Sequence, residues 1–318
     1  MDTINLGDVE ITRVVEWQGP IAPMPVLFPD LDQHPWRTDD RLTPHFWNPV
    51  TDDYLAAVQT WVLRSEGRVI LVDTGVGNHK ERPYMPPWRH RDEDFLGRLA
   101  AAGVRPEDVD LVVNTHIHAD HVGWNTRLVD RAWVPTFPNA TYLIARPDFE
   151  YWNPRHDIPK HGSVNGINSR LANGNTFEDS IDPVHEAGQT LLWEGRTHRI
   201  DGHLSLELAP GHTPGSAIVR LESGTDRAFF VGDVVHTPAQ FAYPGCDTCL
   251  SENQAEAAKS RMRVLAEAAD TNALVIPAHF PGAGAAEIKR AGNAFEVHRW
   301  APFTSSASPF VDVSTSRG

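Results

Sequence analysis

Residues 114–123 read Asn-Thr-His-Ile-His-Ala-Asp-His-Val-Gly and follow directly on the apolar run Leu111-Val-Val113. The run has the composition of a strand, so His116, His118, Asp120 and His121 fall in the loop at its C-terminal end. Side chains two apart in an extended segment share a face, which aligns His116 with His118, and the turn that follows carries Asp120 and His121 to a second point nearby. Neutral imidazole nitrogens and carboxylate oxygens suit zinc and its divalent transition-metal neighbours. One ion does not use all four groups, so the fold has to deliver further ligands to the same place.

Three candidates stand at equivalent positions. His212 lies in the turn Pro210-Gly-His-Thr-Pro-Gly215, Asp233 ends the run Ala228-Phe-Phe-Val-Gly232, and His279 follows the run Ala273-Leu-Val-Ile276. Each sits just beyond a predicted strand, and strand ends converging on one rim would gather His116, His118, Asp120, His121, His212, Asp233 and His279. Isolated histidines such as His45 and His185 lack such a setting, as does His203.

The remaining pattern predicts strands over 8–16, 58–64, 68–73 and 111–115, with a helix-compatible stretch from Asp92 to Ala102 stopped by Gly103. A strand at 141–145 and a helix start at Arg146–Tyr151 precede an irregular stretch, 152–190. The second half predicts strands at 204–208, 216–222 and 227–231, a helix at 252–269, and a strand at 273–276. A hairpin of 286–290 and 295–300 turns at Gly292-Asn293. Each half runs strands first and then helix and strand, the pattern of two sheets face to face with helices outside. The expected organisation is one domain over 1–318, with a Pro- and aromatic-rich arm at about 17–57 and an irregular insertion at about 150–190.

Composition removes several function classes. A net charge of −14 without a run of Lys or Arg disfavours nucleic acid as a partner. No stretch approaches the roughly 18 apolar residues that span a bilayer, and Met1–Thr12 has no apolar leader segment, so no membrane partner and a cytoplasmic location are expected. Cys246 and Cys249 form a lone Cys-x-x-Cys and read as two free thiols in a loop. The 25 prolines point to long ordered loops rather than a helical bundle.

In the order His116-x-His118-x-Asp120-His121, Gly-His212-Thr-Pro-Gly-Ser, Gly232-Asp233 and Ala278-His279, with Val72-Asp73-Thr-Gly75 upstream, the chain resembles the metallo-β-lactamase-fold hydrolases over about residues 60–290. The resemblance implies an α/β fold of the αββα four-layer sandwich type with two mixed sheets. It implies one metal on His116, His118 and His212, a second on Asp120, His121 and His279, and Asp233 bridging them. The implied cofactors are two divalent ions, Zn²⁺ foremost, with Mn, Co or Fe left open. The implied chemistry is attack by metal-bound hydroxide, with Asp120 as general acid/base and Asp73 orienting a histidine ligand.

The run Gly232-Asp-Val-Val-His236 bears on the branch. Acyl-homoserine lactonases of this fold often place a tyrosine at the position of His236, whereas Asp-x-x-His resembles the methyl-parathion-hydrolase-like branch of lactonases and organophosphate hydrolases. His236 would either contact substrate or brace the site. Trp124 stands where many relatives have glycine and is expected to narrow the pocket. Met24, Leu27, Phe28, Trp36, Phe46, Trp47, Phe149 and Trp152 either wall an apolar cleft or pack internally, and the arm suggests a homodimer. The expected substrate is a lactone or related carboxylic ester, acyl-homoserine lactones included, with phosphotriester hydrolysis as a side activity. A glyoxalase II-like thioester hydrolase, a β-lactamase-like amide hydrolase and an iron-dependent dioxygenase are the alternatives.

Overall fold

In the computed structural model, which describes residues 2–34, 36–159, 163–164 and 167–303, alternate residues of each central strand enter different cores. Trp61, Leu63, Ile70 and Val72 point into the space between two sheets, while Val62, Val69 and Leu71 point outward to the helix Phe95–Ala101. Ala228 and Phe230 share the inner core, and Phe229 and Val231 meet the helix Gln254–Thr271 on the other outer face. Period-two side chains that are buried on both faces require a layer on each side, so the result is helix, sheet, sheet, helix. Burying each Val, Leu, Ile or Phe side chain in this way contributes about 1.5–3 kcal/mol.

The first sheet runs Asp2–Leu6, Val9–Pro23, Asp53–Ser65, Arg68–Val72, Leu111–Val113, Thr141–Ala145, Thr190–Trp193, with Trp47–Asn48 paired on Asp53–Ser65. It is mixed: the last four strands of this path are parallel and the others antiparallel. The second sheet runs Thr197–Arg199, Leu204–Leu208, Ala217–Ser223, Asp226–Gly232, Leu274–Pro277, Ala286–Ala291, Ala294–Trp300. Only Asp226–Gly232 and Leu274–Pro277 pair in parallel. The expected four-layer sandwich of two mixed sheets is the fold of this chain.

Two boundaries differ from expectation. The first long strand continues to Pro23, because its register slips between Val15 and Trp17 and again between Pro20 and Ala22 while pairing with Asp53–Ser65 is kept. Such irregularities let prolines remain in a strand, and they confine the arm to 24–52. There Met24, Leu27, Phe28, Trp36, Phe46 and Trp47 are all buried in the core that also holds Phe229 and Val264. The apolar side chains that suggested a subunit contact are therefore taken up by the chain itself. The insertion, of which residues 160–162, 165 and 166 lie outside the described set, ends in Thr190–Trp193, the parallel edge strand of the first sheet. Among the described residues no helix is long and apolar enough to cross a membrane.

Candidate metal centre

The loop after Leu111–Val113 is held from both sides. Thr115 donates its N–H and its hydroxyl to Asp73, each at 2.8 Å, and Ile117 N–H donates to Asp148 Oδ2 at 2.8 Å. Ile117 and Val122 are buried among Phe149, Phe177 and Ile181. Asp148 also accepts from Thr213 Oγ1 at 2.9 Å and from Gly215 N at 2.5 Å, so one carboxylate ties the 116–121 loop to the turn that carries His212. Gly215 is required there: a Cβ would come 2.5 Å from Asp148 N. Burial pushes the Asp148 carboxyl up to about 6 against the donors that face it.

These constraints bring together every residue that the sequence nominates as a ligand. His116, His118, His212 and Asp233 form one group and Asp120, His121 and His279 a second, and the donor atoms within each group lie within 4.8 Å of one another. Asp233 faces both. Its Oδ2 is 3.1 Å from His212 Nε2 and 3.7 Å from His116 Nε2, and its Oδ1 is 3.3 Å from His121 Nε2 and 3.0 Å from His279 Nε2.

The outer nitrogens of these rings are already engaged. His116 Nδ1 meets Thr115 Oγ1 at 3.1 Å, His121 Nδ1 meets Asp73 Oδ2 at 2.8 Å, His212 Nδ1 meets Ser251 Oγ at 3.0 Å, and His279 Nδ1 meets Ala57 O at 2.9 Å. That arrangement turns Nε2 inward, and in His116 and His121 it is buried without a hydrogen-bond partner, as is Asp233 Oδ1. His212 Nε2 and His118 Nδ1 face each other at 3.0 Å. Buried polar atoms that converge without partners fit cations held between them. Of the two groups, each donor set is one that zinc, manganese, cobalt or iron accepts.

Electrostatics treat the histidines of the two groups differently. Burial, helped by His121, holds the His116 imidazole well below its usual range; burial with His212 does the same to His118, so both rings are in the neutral form that ligates. Burial works against the charged forms of His121 and His279, yet Asp233 and Asp120 raise both, with Asp73 adding to His121. Burial likewise opposes ionisation of Asp233, and four surrounding imidazoles, His279, His121, His236 and His212, outweigh it and hold the carboxyl well below the usual range.

His236 sits on the same cluster with Nε2 3.0 Å from Asp233 Oδ2, while its Nδ1 is buried without a partner. Its backbone carbonyl accepts from Tyr54 Oη at 2.8 Å, and Phe28 packs edge-on against both Tyr54 and His236. All three line a cleft whose space, open solvent at its mouth included, comes to about 610 Å³. Ile21, Leu27, Met85, Trp88 and Leu250 are apolar members of the lining that also holds His118 and Asp120, and among the described residues no Lys or Arg lines it. Of the aromatic arm residues, Phe28 reaches this cleft, whereas Trp36, Phe46 and Trp47 pack in the core.

The expected role of Trp124 is corrected. The turn Gly123–Asn125 sends its indole to the outer face of the first sheet, where it stacks on Phe95 and donates to Glu16 Oε1 at 2.8 Å. The turn is pinned by Gly123 N–H on Gly75 O and Trp124 N–H on Thr74 O, and a Cβ on Gly123 would fall 1.8 Å from Val76 O. Cys246 and Cys249 are buried free thiols, pushed up to about 11 by burial, and lie outside the cleft lining. Asp148 is the residue that sequence reasoning missed; its one signal was an acidic residue in the first turn of the helix Arg146–Trp152.

An αββα sandwich with two His/Asp groups able to hold metal ions at the ends of its strands defines a class. The model of the metallo-beta-lactamase superfamily matches residues 54–279, and the chain belongs to that superfamily. An N-acyl homoserine lactonase, AttM, from Rhizobium radiobacter is 31% identical over 147 residues, 42% of this chain and 45% of that protein. The human metallo-beta-lactamase domain-containing protein 1 is 30% identical over 67% of this chain and 58% of its own length. The chain spans about half the length of the curated relatives it matches. Among solved structures, AidC, a dizinc quorum-quenching lactonase, superposes with a TM-score of 0.74 at 20% identity over 96% of this chain and 97% of its own. The hydrolase AbOPH gives 0.72 at 21% identity over 96% of this chain and 98% of its own. At such identities the superpositions speak for the fold.

Proposed function

We propose that this protein is a dinuclear metal-dependent hydrolase, with Zn²⁺ the foremost metal, that opens a lactone or a related carboxylic ester, acyl-homoserine lactones included. The observation that carries this reading is the cleft: an apolar lining that has no Lys or Arg among the described residues and that includes members of both candidate ligand groups. His116, His118 and His212 would hold one ion, Asp120, His121 and His279 the other, with Asp233 shared. When bound, the ions supply an acidified water and polarise the carbonyl oxygen.

The chain's own residues supply the rest. Asp120 takes the proton from the attacking water and hands it to the leaving alkoxide as the ring C–O bond breaks, giving the hydroxy acid. His236, backed by Tyr54 and Phe28, presents its buried Nδ1 toward the reacting group. The apolar wall takes up the acyl chain. A glutathione thioester or a β-lactam brings a carboxylate that no Lys or Arg among the described lining residues meets, whereas a neutral phosphotriester needs none; phosphotriester turnover is therefore a compatible side activity.

The test is ring opening by the zinc-loaded protein across acyl-homoserine lactones, simple lactones, aryl esters, a phosphotriester, a thioester and a β-lactam. Lactone kcat/KM above about 10⁴ M⁻¹s⁻¹, with the others far lower, is the expected result. No turnover of any lactone or ester would reject the reading, and oxygen consumption by the iron-loaded protein would then favour a dioxygenase.

A further inference from the structure

His236 Nδ1 and Asn173 Oδ1 are polar groups of the described cleft residues that are neither candidate ligands nor satisfied, and the second has no role in the reading given above. Asn173, 8% exposed, lines the cleft with Ala172, His118 and Ala119. Its Nδ2 donates to Ile117 O at 2.9 Å, which fixes the orientation of the amide, because a flipped side chain would set oxygen against oxygen. Oδ1 is thereby left as the other end, and it is buried without a hydrogen-bond partner. A buried carbonyl with no donor is rare enough to require a reason.

The position is rigid. Ile117 lies between His116 and His118, so the Asn173 amide is tied directly to the ligand loop. On its other side Asn173 O accepts from Thr176 N, and the chain beyond is clamped by Asp179, which receives Arg82 at 2.6 and 2.9 Å and whose carbonyl receives Lys80 Nζ at 2.9 Å. Apart from His236 Nδ1, which lies at the Asp233 side of the cleft, the Tyr54 hydroxyl is committed to His236 O and Thr248 Oγ1 to Leu250 N–H. The acceptor held ready beside the ligand loop is therefore Asn173 Oδ1.

We infer that Asn173 is a specificity-determining residue whose Oδ1 accepts a hydrogen bond from an N–H that the substrate carries close to its reacting carbonyl. An acylamino substituent supplies such a donor; an acyloxy substituent of the same shape does not, and would leave Oδ1 unpaired in the complex. A site built to receive a donor rejects the analogue lacking it more strongly than an apolar pocket discriminates by size. This inference rests on the lactone-hydrolase reading given above.

The experiment compares kcat/KM for two lactones differing in one atom, N-hexanoyl homoserine lactone and α-hexanoyloxy-γ-butyrolactone, with ring opening followed by mass spectrometry. Wild type should prefer the N–H compound by about tenfold or more, the range of one hydrogen bond. Asn173→Leu, which keeps the γ-branched shape and removes the acceptor, should bring the ratio to near one; Asn173→Ala makes the same comparison if leucine prevents folding. A wild-type ratio near one, or a preference that survives in both variants, overturns the inference while leaving the hydrolase reading intact. Equal loss on both substrates also overturns it, since that is what a purely structural tie to Ile117 predicts. If neither lactone is opened by the metal-loaded wild type, the hydrolase reading itself fails and the inference goes with it.

Discussion

Asp73 Oδ2 lies 2.8 Å from His121 Nδ1, and the same carboxylate receives the N–H and hydroxyl of Thr115. Asp73 does this from a left-handed backbone conformation, φ 57°, which Asp and Asn tolerate better than other side chains. Asp73→Asn therefore keeps the turn but can present an N–H where the imidazole N–H needs an acceptor, so the His121 tautomer is no longer fixed. Metal affinity should fall about 10–100-fold. Competition with a chelator of known affinity measures it; an unchanged affinity would show that Asp73 serves the loop and not the ligand.

For Asp120 the expected effect is on turnover rather than on folding. Asp120→Asn keeps an oxygen for the cluster and removes the group that carries the proton, so kcat/KM per bound metal should fall by about 10²–10⁴. Metal content measured on the same sample separates this from loss of an ion. Activity that simply tracks metal content would remove Asp120 from the proton path.

His236 is predicted to act on substrate rather than as a support of the metals. Its Nδ1 has no protein partner, and its backbone is held by Tyr54 independently of the imidazole. His236→Ala should lower lactone kcat/KM by about 10–100-fold at unchanged metal occupancy. Loss of metal in the variant would instead make it a brace for Asp233, whose Oδ2 is 3.0 Å away.

That the seven candidate ligands come together was legible because their chemistry admits few residue types and their places are strand ends, which apolar runs such as Leu111–Val113 and Ala228–Val231 mark clearly. The sheets were legible for the same reason. What was hidden depends on direction and distance along the chain. The indole of Trp124 turns outward because of how Gly75 and Gly123 let two backbones approach, and no local pattern states that. Asp148 looks like an ordinary first-turn acidic residue, and its three donors come from positions 117, 213 and 215. The strand Val9–Pro23 was cut short because bulges break the alternation that defines a strand. The closing strand Thr190–Trp193 follows an insertion without period and pairs with residues about fifty positions earlier.

The side chain of Lys80, which is in neither candidate ligand group, is fully buried. Nζ donates to Thr126 Oγ1 at 2.6 Å and to Asp179 O at 2.9 Å, and it lies 3.6 Å from the centre of the Trp133 ring. Burial pushes its ammonium down to about 7, with Asp179 holding it up and Arg82 adding to the depression. The unfolded chain keeps this lysine protonated to about pH 10.4. Between those values the folded protein binds fewer protons than the unfolded one, so the contribution of Lys80 to stability rises with pH across that window. The penalty is fully present below about 7 and is relieved toward 10. Lys80→Met removes the titration and leaves Arg82 and Asp179 in place. Urea unfolding followed by tryptophan fluorescence at pH 7 and pH 9.5 should find the wild type gaining on the variant by on the order of 3 kcal/mol between the two. Removing donors from Thr126 and Asp179 displaces both points equally, so the slope, and not the offset, carries the test. Wild type and variant running parallel would mean that Lys80 keeps an ordinary ammonium despite its burial.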